Sequence, residues 1–222
     1  MNYTYVDIGT ADFDTSIDKC DAAAGETVMV VEPLQFYLDA LPSGDHITKV
    51  CAAIVEDGVC ETVDVFYVPP PLIRTLELPE WIRGCNRIKE PHPTVVGYLK
   101  ADRGISLEQA RDQGIIACTT CKLLHFCELR LQYNIDSIQH LKVDTEGCDH
   151  LILAAVLAAI RVDGFPPPET IEFERIGYAD DPFGNLSTLD YFTNVALNSG
   201  YARDPKSDLG LDERVKLRWN NA

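Results

Sequence analysis

The chain has little positive charge and no long apolar run. Its 222 residues include 19 Lys and Arg against 35 Asp and Glu, a formal net charge of −16. Phosphate backbones and anionic lipid headgroups repel such a surface, so we expect neither nucleic acid nor a membrane as a partner. The longest apolar run, residues 151–160, is shorter than the ~20 residues of a membrane span and predicts a buried helix.

A secretory signal is also missing, because MNYTYVDIG has no basic region followed by an apolar stretch. We therefore predict a cytoplasmic protein whose eight cysteines remain thiols. Cys118-x2-Cys121, followed by His125 and Cys127, contains zinc-ligand residue types. There is no second such pair, and a helix predicted over residues 121–133 would point Cys127 elsewhere. Buried thiols are the favoured interpretation.

The GxGxxG fingerprint of dinucleotide-binding folds is a third absence. The turn after the first predicted strand contains only Gly9, with no cradle for phosphates. This counts against NAD and against nucleoside triphosphates.

Short apolar runs alternate with polar or helical stretches along the N-terminal half. TYVDIG, TVMVVEP and ITKVCAAIV are predicted strands, with helices at residues 15–20 and 34–41 between them. Continuous β-branched runs are typical of a parallel sheet that is covered on both faces. The pattern predicts an α/β fold, a doubly wound and mostly parallel sheet in one domain over residues 1–222. RVKLRW, residues 214–219, is predicted to be a final strand at an edge of the sheet.

Residues 69–95 are predicted to form an irregular insertion on the side of the sheet where an acceptor would bind. Three prolines open this stretch, which then contains Trp81, Arg83, Asn86 and His92. A loop of this length in a compact domain is usually functional or disordered, and its aromatic, imidazole and amide side chains favour a functional role. Residues 177–182 are a second candidate for the wall of an acceptor pocket.

Acidic residues follow three predicted strands. Asp7-Ile8-Gly9-Thr10 ends the first strand, and Glu32 ends the second. Ligands of open α/β sheets bind outside the carboxyl ends of the strands. Asp7 is a candidate to hold an amino group, and Glu32 is a candidate to accept hydrogen bonds from a ribose diol. A turn-forming Asp and a surface carboxylate are the alternative interpretations.

The third acidic motif, LKVDTEGCD, is the most specific. Asp144 and Glu146 follow a predicted strand, and Gly147 permits the turn into the next helix. Two carboxylates at this edge could act as general base, as metal ligands or as anchors for substrate hydroxyls. An acidic helix N-terminus is the alternative, and it suits Asp149 better than Asp144.

DIGTADFDTS, VVEP and LKVDTEGCDHLIL, in this order and spacing, resemble the FkbM family of methyltransferases over roughly residues 5–176. The chain departs from the family pattern at Ala11, where Asn is common, and at Phe13, where a second Gly is common. The resemblance implies a class I, Rossmann-like methyltransferase fold with seven strands, the last of them antiparallel.

The resemblance also implies S-adenosylmethionine as the methyl donor and O-methylation, often of sugars or polyketide-type products. Asp144 and Glu146 would then face the site of methyl transfer. The donor and the acceptor would be bound by two further groups of residues: Asp7, Gly9, Thr10 and Glu32 for the donor, and Trp81, Arg83, Asn86 and His92 for the acceptor.

His92 is the first candidate for the base that takes the hydroxyl proton, because imidazole titrates near neutral pH, and Asp144 is the second. A divalent cation such as Mg²⁺, with Asp144 as a candidate ligand, is a further option. We expect a saccharide or other small-molecule acceptor, and a homo-oligomer is compatible with the sequence. The alternatives are a nucleoside-binding scaffold without catalysis and a small-molecule or protein methyltransferase.

Overall fold

Two β-sheets organise the chain in the computed structural model, which describes residues 1–55, 61–174, 185–204 and 214–220. The larger sheet has seven strands, which are β1 (Asn2–Ile8), β2 (Val28–Val31), β3 (Ile47–Val50), β8 (Ser137–Val143), β9 (Thr170–Glu174), β10 (Tyr201–Arg203) and β11 (Arg214–Trp219). The smaller sheet has four, which are β4 (Ala53–Ile54), β5 (Thr62–Tyr67), β6 (Arg87–Ile88) and β7 (Ala117–Leu124).

The strand order of the larger sheet is β10-β11-β9-β8-β1-β2-β3. The pairs from β9 through β8, β1 and β2 to β3 are parallel, whereas β11 runs antiparallel to both of its neighbours. The prediction of a mostly parallel sheet with an antiparallel last strand is confirmed. The prediction that this strand lies at an edge is wrong, because β10, which sequence analysis missed, pairs with its outer side.

Seven α-helices accompany the sheets within the described ranges. They are α1 (Gln35–Ala40), α2 (Pro70–Thr75), α3 (Pro93–Arg103), α4 (Leu107–Asp112), α5 (Phe126–Gln132), α6 (Asp149–Val162) and α7 (Asn185–Asn198). Short 3-10 helices occupy Ile17–Lys19, Ala22–Ala24 and Glu80–Arg83. No helix among these residues is both long enough and apolar enough to cross a membrane.

Strand β2 shows why the sheet is covered on both faces. Its four residues are all buried, and alternate side chains of a strand point to opposite faces. Met29 and Val31 pack in the main core with residues of α6, whereas Val28 and Val30 pack with Leu38 of α1. The continuous apolar run TVMVV therefore reflects burial on two sides, as predicted.

Residues 69–95 are ordered, which corrects the predicted irregular insertion. They contain α2, the 3-10 helix Glu80–Arg83, β6 and the first turn of α3. Pro70 and Pro93 each occupy the first helical position, where the missing N–H is not needed and the fixed φ suits a helix. The prolines therefore begin helices here, in addition to ending strands. Residues 177–182 lie outside the described residues.

The helix predicted over residues 121–133 is confirmed only for its second part, because residues 121–124 belong to a strand. Ala117–Leu124 form strand β7, and α5 begins only after His125, which caps it together with Glu128. Cys118 is exposed and Cys121 is buried, so the two thiols point to opposite faces of the strand. They do not form a shared zinc site. Two other predictions also change, since residues 15–20 form only a 3-10 turn and ITKVCAAIV divides into β3 and β4.

Candidate functional site

A cavity lies at the carboxyl ends of β1, β2, β8 and β9, where open α/β sheets bind ligands. Seven of the ten predicted site residues line it, namely Gly9, Thr10, Glu32, Trp81, Asn86, Asp144 and Glu146. The other three do not line the cavity. Asp7 and Arg83 contact Ser16 and Asp12, respectively, in the loop after Gly9. His92 contacts Glu146, which does line the cavity.

Gly9 brings the ends of three strands together. Its N–H donates to the carbonyl of Val31 at 2.9 Å, and the N–H of Asp144 donates to the carbonyl of Ile8 at 2.8 Å. Gly9 has φ of +78°, and a Cβ at this position would overlap the Asp144 backbone, whose carbonyl carbon lies 2.8 Å from it. Only glycine fits here, because the first acidic motif and the third approach each other backbone to backbone.

Glu32 holds the turn that follows Gly9. Its carboxylate accepts backbone N–H bonds from Thr10 at 3.3 Å, Ala11 at 2.9 Å and Leu34 at 3.0 Å. Burial raises the pKa of Glu32 to about 7, although these three hydrogen bonds act to lower it. Burial therefore opposes ionisation of this carboxyl in the wall of the cavity.

Asp7 lies behind the cavity wall. Its carboxylate accepts hydrogen bonds from the backbone N–H and the hydroxyl of Ser16, the latter at 2.9 Å. Burial raises the pKa of Asp7 while these bonds oppose the shift. The arrangement supports a role in ordering the loop from Gly9 to Ser16. The contact of Asp7 with a ligand amino group stays a prediction.

An acidic rim faces the cavity opposite Glu32. It comprises Asp14, Asp144, Glu146 and Glu174, and Arg214 of β11 completes it. Burial and the neighbouring carboxylate of Glu174 raise the pKa of Asp144, and burial together with Glu146 raises that of Glu174. These groups are crowded enough to retain protons at a pH where free carboxyls would lose them.

Asp14 is the exception within this rim. Burial alone would raise its pKa, but Lys142 and Arg214 outweigh burial and lower the pKa to about 2. Lys142 also donates to the carbonyl of Asp14 at 2.9 Å, and the Arg214 guanidinium lies 2.9 Å from Asp14 and 3.3 Å from Asp144. The rim therefore contains one firmly ionised carboxylate, Asp14, beside two carboxyls of raised pKa, Asp144 and Glu174.

Sequence analysis missed Asp14, Glu174 and Arg214. Glu174 ends β9, so the same rule that identified Glu32 and Asp144 could have found it. Arg214 had no comparable signal, because it lies 200 positions from Asp14 in the chain.

His92 and Glu146 form a hydrogen-bonded pair beside the rim. His92 is buried at the N-terminus of α3, and its Nε2 lies 2.9 Å from Oε2 of Glu146. Glu146 has φ of +53°, an unusual conformation for a residue with a side chain. His92 and Cys85 line a small pocket, and His92 contacts Glu146, which lines the main cavity.

Among the residues that the structure describes, two groups converge closely enough to hold a metal ion, each residue offering one ligand atom. Asp144, Glu146 and Glu174 form one group, and Cys85, His92 and Glu146 form the other. In both groups the ligand atoms lie within 4.8 Å of one another, and Glu146 belongs to both. Burial raises the pKa of the Cys85 thiol, and the carboxylates of Glu146 and Glu174 add to the shift.

Of the four predicted acceptor residues, Trp81 and Asn86 line the cavity, whereas Arg83 and His92 do not. Trp81 lines the cavity, is 45% exposed and packs edge-on against Tyr98. Arg83 forms an ion pair with Asp12 and lies 5.2 Å above the ring of Phe13, so it joins the first loop to this segment.

Asn86 lines the cavity as well. Its Nδ2 donates to the carbonyl of Arg83 at 3.1 Å, which fixes the orientation of the amide. Within the described part of the chain, its buried Oδ1 has no hydrogen-bond partner. A buried acceptor of this kind is suited to a donor group on a ligand.

Most of the remaining lining is apolar. It includes Val31, Ala52, Ala53, Ile54, Val65 and Ile88. The cavity thus combines an apolar part, where removal of a flat ring from water is favourable, with an acidic part that attracts positive charge.

No protein-family model matches the chain, and no curated protein sequence matches it significantly. A functional assignment therefore depends on the cavity and on the residues that line it.

Proposed function

We propose that the protein is an S-adenosylmethionine-dependent O-methyltransferase with a class I, FkbM-like fold, which methylates a hydroxyl of a saccharide or a similar small molecule. The observation that carries this proposal is the acidic rim beside an apolar pocket at the carboxyl ends of the strands. The seven-stranded sheet with an antiparallel last strand agrees with what the resemblance to that family implies.

The charge of the lining favours a cationic ligand. Five carboxyl groups line the cavity, from Asp14, Glu32, Asp144, Glu146 and Glu174, and Arg214 is the one Lys or Arg among the described lining residues. A ligand with phosphate groups would be repelled, whereas a sulfonium and an ammonium group would lower the energy of the crowded carboxylates. S-adenosylmethionine carries both cationic groups.

The other half of the cavity suits an adenosine. The apolar residues around Ile54 offer a surface for a flat ring, and Glu32 lies at the end of β2 where a ribose diol could donate to it. The Oδ1 atom of Asn86 offers an acceptor for an exocyclic amino group or a hydroxyl. These placements use side chains that the structure already orients.

A carboxylate of the acidic rim would accept the proton of the acceptor hydroxyl. Donor bound in the cavity supplies a methyl group, and an acceptor oxygen that forms the new carbon–oxygen bond must lose its proton as the carbon–sulfur bond breaks. Asp144 lines the cavity, and its raised pKa makes it a stronger base than a free carboxylate once it is ionised. Placement of the reacting atoms in line supplies the rest of the acceleration.

Calorimetric titration with S-adenosylmethionine and S-adenosylhomocysteine tests the proposal. We expect both to bind, the sulfonium form more tightly, and Glu32→Ala to weaken both. Asp102→Ala removes an exposed carboxylate of α3 outside the cavity and should leave both affinities unchanged. Failure of either ligand to bind the wild type would refute the proposal.

Transfer is tested with labelled donor and a panel of saccharides, with wild type and Asp144→Asn compared. We expect labelled product with the wild type and a large loss of turnover in the variant. Ligand binding without turnover on any acceptor would instead favour a nucleoside-binding scaffold without catalysis.

A further inference from the structure

The pair formed by His92 and Glu146 has a third member that the proposed chemistry does not use. Cys85 lies close enough that its sulfur, a ring nitrogen of His92 and a carboxylate oxygen of Glu146 are all within 4.8 Å of one another. We propose that these three side chains bind one divalent transition-metal ion of the zinc class, in the wall of the cavity.

The donor types select this class of ion. Thiolate, imidazole and carboxylate together are ligands that Zn²⁺, Co²⁺ and Fe²⁺ accept, whereas Mg²⁺ and Ca²⁺ prefer oxygen alone. The neighbouring group of Asp144, Glu146 and Glu174 offers only oxygen. Sulfur and nitrogen ligands therefore distinguish the proposed site from an ordinary cluster of acidic residues.

The geometry needs only a small adjustment. Two ligand atoms of a tetrahedral zinc ion lie about 3.3 to 3.6 Å apart, given metal–ligand distances of about 2.0 to 2.3 Å. Nε2 of His92 is 2.9 Å from Oε2 of Glu146, so an ion would separate these atoms by a few tenths of an ångström. The Cys85 sulfur lies within 4.8 Å of the other two ligand atoms, so it would approach them by up to about 1 Å.

Three separate segments of the chain supply the ligands. Cys85 follows the 3-10 helix Glu80–Arg83, and His92 is held between Pro91 and Pro93 at the start of α3. Glu146 sits in the turn between β8 and α6, where its φ is positive. Ligands fixed in advance by separate elements reduce the ordering cost of binding a metal.

The proposed metal site would also share a residue with the cavity. Glu146 lines the main cavity, so a fourth coordination position could face Asp144 and Glu174. Three protein ligands and one open position are the arrangement of zinc sites that act on a substrate. This placement would suit a metal-bound acceptor hydroxyl or water, but metal binding itself does not depend on the proposed methyl transfer.

Titration of chelator-treated, full-length protein with Co²⁺ tests the site directly, without donor or acceptor. We expect one Co²⁺ per chain, a thiolate-to-cobalt charge-transfer band and the visible bands of tetrahedral cobalt. Zn²⁺ should displace the cobalt at one equivalent, and excess Mg²⁺ should not.

Four variants decide which residues bind, each checked for folding by circular dichroism. Cys85→Ser should remove the charge-transfer band, and His92→Gln should weaken Co²⁺ binding about tenfold or more. Cys118→Ser, which removes an exposed thiol of β7, and Glu174→Gln should both keep the band. Absence of the band in folded wild type, its persistence in Cys85→Ser, or displacement of Co²⁺ by Mg²⁺ would each overturn the proposal.

Discussion

Substitution of Gly9 tests whether close backbone packing assembles the cavity. Gly9 and Gly25 both have positive φ, of +78° and +80°, but their surroundings differ. A Cβ at Gly25 would have no heavy atom within 4 Å, whereas a Cβ at Gly9 would overlap the backbone of Asp144. Gly25→Ala is therefore a matched control, because it introduces the same backbone strain without the overlap.

The expected losses of stability follow from the backbone strain at both positions and from the overlap at Gly9 alone. Alanine in the left-handed region costs about 1–2 kcal/mol, of which the loss of unfolded-state entropy offsets about half. Gly25→Ala should thus destabilise the protein by about 1 kcal/mol. Gly9→Ala adds overpacking, about 1–3 kcal/mol, and strains the hydrogen bond from Asp144 to Ile8, so we expect about 4 kcal/mol in total.

Urea denaturation followed by circular dichroism measures both free energies of unfolding. Gly9→Ala should also weaken binding of S-adenosylmethionine, while Gly25→Ala should leave it unchanged. If Gly9→Ala did not accumulate as folded protein while Gly25→Ala did, the expected destabilisation would be present in its strongest form. Equal stabilities of the two variants, within about 1 kcal/mol, would refute the reasoning.

Three further substitutions probe single interactions. The pKa of Glu32 is raised from 4.5 to about 7, so the wild type should lose stability relative to Glu32→Gln as pH rises through this window, by at most about 3 kcal/mol. Denaturation of both proteins at about pH 5 and about pH 8 measures this loss. A stability difference that does not change with pH would contradict the prediction. The pKa of Asp14 is lowered from 3.8 to about 2 by Lys142 and Arg214, so its contribution is present above pH 3.8 and is lost as pH falls through about 2. Asp14→Asn should therefore cost about 1–2 kcal/mol at neutral pH and less near pH 3, and the same cost at both would count against this ion-pair network. Ser106→Ala removes the capping box of α4 and should lower the free energy of unfolding by about 1 kcal/mol, measured by thermal or urea unfolding. Ligand affinity should not change. An unchanged stability would mean that the cap is not needed.

The part of the site that could be predicted from sequence is the part that one physical rule determines. Carboxyl ends of parallel strands meet at one edge of a sheet, so acidic residues after predicted strands could be brought together without knowledge of the strand order. Glu32, Asp144 and Glu146 do lie in one cavity with Gly9. Which ligand they bind stays a prediction.

The rest depends on contacts between distant segments. The pair of His92 with Glu146 spans 54 positions, and the contact of Arg214 with Asp14 spans 200. No local pattern encodes such contacts. The error at residues 69–95 has a different cause, because Pro70 and Pro93 were interpreted only as breakers of structure, whereas the first turn of a helix accepts proline.

The place of β11 in the sheet has a consequence for the order in which the molecule can assemble. This strand comes later in the chain than β9 and β10, yet it lies between them in the sheet. Within the described sheet, β10 is joined to β9 only through its pairing with β11. During synthesis β10 lacks its partner in the described sheet until β11 has been made, and Arg214 can reach the rim only with β11. The cavity therefore gains its single lining cation after every other described wall residue has been made, and ligand affinity would report on completed folding.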